Sequence, residues 1–243
     1  MPPMETPMET VGRPLPGIVH RTRQRVAVSG VAVSISTALV ILAASLLILV
    51  QPAYLHPALD AAGSASLLGV APTEAHRLSD ATVAELVAGP GSFDVRTSDG
   101  AAVYSPAEVG HLRNVRLVLY AFLAVAGLCL AFLLLRIIRS GSRAGTWAAI
   151  RRGAMGLGVG LVVAGVVAFV AFEPAFELFH RVFFPGGNWA FDPTTDRLVQ
   201  LYPLAFWQLT TMALGLLSIG LALIVWLLTR RRTPSDPGAR VRP

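Results

Sequence analysis

The 243-residue chain contains no lysine and a single cysteine, and charged residues make up only 14% of it. Its 20 cations are therefore all arginine. A lone Cys129 allows no intrachain disulfide, so no covalent brace holds any loop, and a thiol in the middle of an apolar run reads as a packing residue. Several chemical signatures are missing as well. The nearest approach to a GxSxG elbow, Gly215-Leu-Leu-Ser218-Ile-Gly220, has one residue too many and lies inside an apolar run. There is no HExxH, no CxxC and no Walker loop. The long apolar runs carry no charges suited to an ion or proton path, and no duplicated halves are evident, which argues against a transporter.

What the chain has in abundance is hydrocarbon. Apolar residues make up 54% of it, and its mean hydropathy is +0.62. Four charge-poor stretches are long enough to cross a hydrocarbon core of about 30 Å, and in lipid each satisfies its own backbone only as a helix. The expectation is an all-α membrane protein with four transmembrane helices, at 26–50, 115–138, 153–172 and 204–228. A disordered tail at 1–25, an outer loop subdomain at 51–114, a loop at 139–152, an amphipathic re-entry segment at 173–203 and a second tail at 229–243 complete the division. The first run is too long for a signal-peptide core and is read as a retained anchor.

Arginine placement sets the orientation. Fourteen arginines and three acids lie in the two tails and the 136–152 region, whereas the other two loops hold six arginines and eleven acids. By the positive-inside rule both termini are cytoplasmic and the long loops face outward. The net charge of +6 then needs no nucleic acid to explain it, and none is expected as a partner.

Within the first outer loop, Pro- and Ala-rich coil is expected to precede a short helix at Ala81–Val87. Phe93–Arg96 and Ala102–Tyr104 should form a small hairpin around Ser98-Asp99-Gly100. Ser105-Pro106-Ala107-Glu108 is a capping box that opens the helix of the second span and carries His111 to its outer end. In the second outer loop Glu173-Pro174 should restart a helix, with Glu173, Glu177, His180 and Phe184 on one face. Asp192-Pro193 looks like the cap of a short helix ending at Leu201. In the third span, Gly156 and Gly160 suggest close helix packing.

Of five histidines, His20, His56 and His76 are expected to be solvated, while His111 and His180 share the outer membrane face. Each follows an acid by three residues, Glu108 and Glu177, which could orient its ring. The same ExxH spacing leaves a metal held by both histidines and a carboxylate as a competing reading, although the site is taken as metal-free and cofactor-free. Lacking a serine or cysteine nucleophile, an outward-facing enzyme would use histidine as acid or base on a nucleophile supplied by its substrate.

The segments YSPAEVGHLRNV (Tyr104–Val115) and FELFHRVFFPGGNWAFDPTTDRLVQLYPLAFW (Phe176–Trp207) resemble the Lit family, the bacterial lipoprotein intramolecular transacylases and their integral-membrane relatives. The likeness runs over roughly residues 26–228. It implies transfer of the sn-2 acyl chain of a diacylglyceryl-modified lipoprotein to the amine of its N-terminal cysteine, at the outer face of a bacterial plasma membrane. Membrane lipid would be the other partner. The family's two active-site histidines fall on His111 and His180, with His180 as base and His111 as acid or oxyanion stabiliser, or the reverse. Tyr104, Glu108, Asn114, Glu177, Trp189, Asp192 and Tyr202 are supporting or substrate-binding candidates. Where the family pattern has an acid three residues after the first histidine, HLRNV has Asn114. A non-catalytic membrane protein whose outer loops bind a lipoprotein, a lipid or a partner subunit is the alternative, and the oligomeric state is open.

Overall fold

In the computed structural model residues 16–139 and 143–230 are described, with side chains from residue 30 onward except 143 and 167–169. Most of both expected tails and part of the 139–152 loop, with their arginines and His20, lie outside those described side chains. The described chain is helical, with one isolated antiparallel bridge between Arg96 and Ala102. The helices are α1 (Pro16–Leu49), α2 (Pro52–Ala62), α3 (Ser64–Leu68), α4 (Pro72–Val87), α5 (Pro106–Arg139), α6 (Arg143–Val170), α7 (Phe172–Phe183), α8 (Arg197–Leu201) and α9 (Leu204–Arg230). Four stretches, Gly30–Leu49, Pro106–Arg139, Ala144–Val166 and Leu204–Arg230, are long and apolar enough to cross a membrane.

Helix α1 touches each of the other three long helices, and α6 lies against α9. Small and hydroxylated side chains make these contacts close. The Ser34 hydroxyl donates to the Ala149 carbonyl of α6 at 2.8 Å, and Ser218 of α9 donates to Ser45 of α1 at 2.8 Å. The glycine on which the α1–α6 contact depends is Gly153: a Cβ there would lie 2.3 Å from the Ser34 carbonyl oxygen. The expected Gly156 and Gly160 are not packing positions within the chain, since a Cβ on either meets nothing within 4 Å.

Outside the bundle, α2, α3, α4, the 88–105 segment and α8 share one core built on Leu55, Leu59, Leu78, Phe93, Leu201 and Phe206. Coil was expected over most of 51–80, and the structure has three helices there. Pro52 and Pro72 occupy first-turn positions, where a missing N–H costs nothing, and Gly63 and Gly69 close α2 and α3 at φ of 74° and 69°. His56 and His76 are not simply solvated. They stack with centroids 4.2 Å apart and bond crosswise to Asp80 (2.9 Å) and Asp60 (2.8 Å), joining α2 to α4. The expected hairpin is reduced to one bridge closed at Gly100, with Val103 N–H donating to Val95 O at 2.9 Å.

Candidate functional site

Two breaks in the helices bring the site together. Pro174 lacks an N–H and its ring crowds the carbonyl four residues back, at Val170, which is where α6 ends. After a single residue, Ala171, the chain resumes as α7 with a strongly two-faced sequence. At the other side, the Ser105 box forms as its spacing implies: Glu108 Oε2 accepts Ser105 N–H at 2.7 Å, and Ser105 Oγ accepts Glu108 N–H at 3.4 Å. Helix α5 therefore begins at Pro106 and holds His111 in its second turn.

His111 and His180 face each other with ring centroids 6.1 Å apart and planes 25° from parallel. Aromatic side chains surround the pair. Phe184 and Phe191 meet His111 edge-on at 4.9 and 5.6 Å, and Phe176 and Trp189 pack on His180 at 4.2 and 5.1 Å. Both rings are at least nine-tenths buried. His180 Nδ1 lies 2.8 Å from the Phe176 carbonyl oxygen. A carbonyl only accepts, so Nδ1 carries the hydrogen and Nε2 keeps its lone pair free. His111 Nδ1 is buried without a partner. Gly187, at φ 74°, turns the chain so that Asn188 and Trp189 fold back over the histidines.

The other candidate residues are placed differently. Glu108 does not orient His111: its second oxygen, Oε1, accepts the Leu198 N–H at 2.6 Å, so this carboxylate joins α5 to the start of α8. Glu177 is exposed and pairs with Arg181 at 2.5 Å, not with His180. Asn114 is exposed and makes no hydrogen bond to His111. Asp192 caps no helix; it accepts Thr194 N–H (2.8 Å) and Oγ–H (2.7 Å) in a local turn, and α8 starts later, at Arg197. Tyr104 and Tyr202 lie in a buried hydroxyl network. Thr82 donates to Leu78 O at 2.7 Å, so the Tyr104 hydroxyl, 2.7 Å from Thr82 Oγ1, is the donor of that bond. Ser79 and Tyr202 pair at 3.1 Å. Burial pushes the Tyr104 phenol well above its usual range and the Tyr202 phenol up to about 12, so both stay protonated. Tyr202 stacks toward Trp207, and Trp207 toward Phe176, which links the network to the His180 wall.

Phe176 and Phe191 are site residues that spacing alone did not single out. Only the Gly186-Gly187 pair before Asn188 hinted that the chain doubles back there. Among the described residues, no group of three His, Cys, Asp or Glu side chains is placed to hold a metal ion. No serine, threonine or cysteine among the described residues hydrogen-bonds either ring. Chemically, the pair offers one ring with a free basic nitrogen and a second ring opposite it, the centroids 6.1 Å apart.

Comparison with known proteins places this geometry in context. Residues 30–207 match the family model described as lipoprotein intramolecular transacylase Lit. The fold resembles the solved structure of the membrane-integral lipoprotein intramolecular transacylase Lit from Bacillus cereus, with a TM-score of 0.66 and 20% identity, over 86% of this chain and 96% of that one. A variant of the same protein with a histidine replaced by arginine gives a TM-score of 0.61 at 19% identity, over 88% of this chain and 95% of that one. At such identity the likeness is one of fold. A protein of Aquifex aeolicus (strain VF5) described as uncharacterized is 37% identical over 65 residues, 27% of this chain and 30% of that relative's length.

Proposed function

The chain belongs to the lipoprotein intramolecular transacylase (Lit) family, and from that premise we propose that it moves the sn-2 acyl chain of a diacylglyceryl-modified lipoprotein onto the amine of the lipoprotein's own N-terminal cysteine, using His111 and His180. The observation that carries this reading is the facing pair of buried histidines 6.1 Å apart, with no described serine, threonine or cysteine bonded to either. A pair of acid–base groups without a nucleophile suits a reaction whose substrate brings its own.

The geometry supports the following steps. The neutral cysteine amine attacks the sn-2 ester carbonyl; an N–C bond forms and the carbonyl electron pair moves to oxygen. His180 Nε2, left free by the Phe176 contact, takes the amine proton. The tetrahedral centre collapses, the C–O bond to glycerol breaks, and His111 protonates the departing oxygen; the proton taken up by His180 passes to His111 and restores both rings. The products are an amide and a free glycerol hydroxyl. Because amine and ester sit on one molecule, orientation within the aromatic walls replaces a bimolecular encounter.

The re-entry segment fits a lipid substrate. Leu178, Phe179, Val182 and Phe183 of α7 are exposed and apolar, and the Glu177–Arg181 pair is polar. A helix of this kind lies in the membrane interface with its apolar side in acyl chains. The arginine distribution puts that interface on the extracytoplasmic side of the bacterial plasma membrane, with both termini inside.

The test is mass spectrometry of lipoprotein N-termini in cells with this protein as the sole candidate transacylase. Wild type should yield the lyso-form, and H111A and H180A should each abolish it. Absence of lyso-form with wild type would sink the transacylase reading and favour the non-catalytic alternative; full activity in both variants would sink the histidine assignment. Orientation is separable: S66C, at an exposed α3 position, should react with an impermeant thiol reagent in intact cells, and protection there would overturn it.

A further inference from the structure

The two sides of the histidine pair are held by different kinds of contact. On the His111 side, polar bonds fasten α5 to the outer subdomain. Glu108 Oε1 accepts the Leu198 N–H at 2.6 Å, and Arg116 donates to the carbonyls of Glu85 (2.9 Å) and Gly89 (2.7 Å). The Tyr120 hydroxyl donates to the Val87 carbonyl at 2.8 Å. On the His180 side, every hydrogen bond and ion pair that α7 makes among the described residues stays within α7 or joins it to the residue flanking each end. Its inner face meets the other helices through rings: Phe176 against Trp207 of α9 at 6.2 Å, and His180 against His111 of α5 at 6.1 Å.

That difference decides which side yields. Parting α5 from the subdomain breaks several hydrogen bonds together. A ring that leaves another ring in a membrane is met by acyl chains as apolar as itself, so no water-driven penalty opposes the separation. Helix α7 is also jointed at both ends. Ala171, at φ −138° and ψ 49°, is a single non-helical residue between α6 and α7, and beyond Phe184 the Gly186-Gly187 pair turns the chain. Its outward residues Leu178, Phe179, Val182 and Phe183 are exposed and apolar, so they stay in acyl chains whether α7 is docked or not. Both imidazoles are at least nine-tenths buried, so a diacylglyceryl group reaches them only when one wall gives way.

We propose that α7 is a lateral gate: hinged at Ala171 and at Gly186-Gly187, it swings as a unit, carries His180 away from His111 to admit the lipid-bearing peptide from the membrane, and docks again with the ester between the rings. The facing pair is then completed on a bound substrate, in the way that hinged lids complete other sites. The identity of what passes the gate rests on the transacylase reading above; the motion rests on the fold.

Double electron–electron resonance on spin-labelled full-length chain, in phosphatidylglycerol nanodiscs and with Cys129→Ala as background, tests the gate. Labels at S66C on α3 and L178C on α7, both exposed, report α7; labels at S66C and L117C, an exposed α5 position, report the fastened side. Without substrate, the 66–178 distances should be broader than the 66–117 distances and include a second population. An ether-linked diacylglyceryl lipopeptide, whose chains cannot be transferred, should collapse the 66–178 distances to one narrow population and leave 66–117 unchanged. A 66–178 distribution as narrow as the 66–117 one in empty nanodiscs would overturn the gate. So would a broad one that the ether lipopeptide leaves unaltered while the same preparation converts the ester lipopeptide to lyso-form. A preparation that forms no lyso-product strikes the transacylase reading instead, and the empty-nanodisc comparison still decides the motion.

Discussion

Glu108 on α5 accepts the backbone N–H of Leu198 at 2.6 Å, and so caps a helix to which it does not belong. Asp196 occupies the N-cap position of α8, but its side chain is turned back onto the Asp192 N–H at 2.8 Å and caps nothing. Glu108 fills that place while its other oxygen caps α5. One buried carboxylate therefore ties the His111 helix to the end of the segment that carries Asn188, Trp189 and Phe191 across the histidines.

Removing that carboxylate should loosen both helix starts at once. Glu108→Ala is expected to destabilise the outer subdomain by roughly 1–3 kcal/mol, the cost of leaving buried N–H groups unpaired. Glu108→Gln should fall between, since an amide can accept at one oxygen but presents N–H groups toward the second donor. Thermal unfolding of the purified protein in detergent measures this, and an unchanged midpoint for the alanine variant would refute the double cap.

A pH dependence follows from Glu85. Its carboxylate accepts the N–H groups of Phe93 (3.1 Å) and Ser92 (2.7 Å) and the Ser92 hydroxyl, and the backbone bond from Phe93 chiefly holds it below the usual carboxylate range. Phe93 is buried at a φ of 54°, so this carboxylate secures a backbone shape that a bulky residue rarely adopts. A depressed folded-state pKa means that the stabilisation is complete above the unfolded value, about 4.3, and is lost as pH falls through the folded one. Hydrogen exchange of residues 89–95, corrected for intrinsic rates, should show protection declining in that acid window for wild type. In E85Q the protection should be lower throughout and flat across it.

Gly153 should tolerate no side chain, unlike the glycines that follow it. Gly153→Ala places a Cβ against the Ser34 backbone and is expected to cost about 1–3 kcal/mol by forcing α1 and α6 apart. Gly156→Ala and Gly160→Ala meet open space and should be neutral or slightly stabilising through helix propensity. Comparing the unfolding midpoints of the three variants checks the ranking; equal midpoints would remove Gly153 from the contact.

The tautomer of His180 is accessible to spectroscopy. With ¹⁵N-labelled histidine, assigned by comparison with H180A, neutral His180 should show a protonated Nδ1 and an unprotonated Nε2, as the Phe176 carbonyl requires. The opposite pattern would leave the base without a free nitrogen facing the substrate.

How far such features can be read from the residues depends on whether their cause is local. The spans follow from run length, and the α5 start from the Ser105–Glu108 spacing, because each is decided within a few residues. Helices α2 and α3 and the first half of α4 were hidden because Ala58, Ala75 and Ser79 fill buried positions where large apolar residues would have marked the period, whereas the Ala81–Val87 half of α4 was legible. His111 and His180 stood out as histidines at one membrane face. Their surroundings did not, because a neighbour in sequence is not always a neighbour in function: Arg181 diverts Glu177, Leu198 draws off Glu108, and Trp189 comes back onto His180 through a turn at Gly187. Asp192 met the rule for a helix cap, but the Thr194 bonds bent it into a tighter turn.

The central place of α1 has a consequence for biosynthesis. It precedes α5, α6 and α9 in the chain, and it contacts each of these three. Every later helix thus enters a bilayer where a permanent neighbour is already waiting, and the hydroxyls of Ser34 and Ser45 are in position to receive α6 and α9 as they emerge. The order of translation and the order of assembly can be the same, with none of the three later helices required to wait, unpaired in lipid, for a partner not yet made.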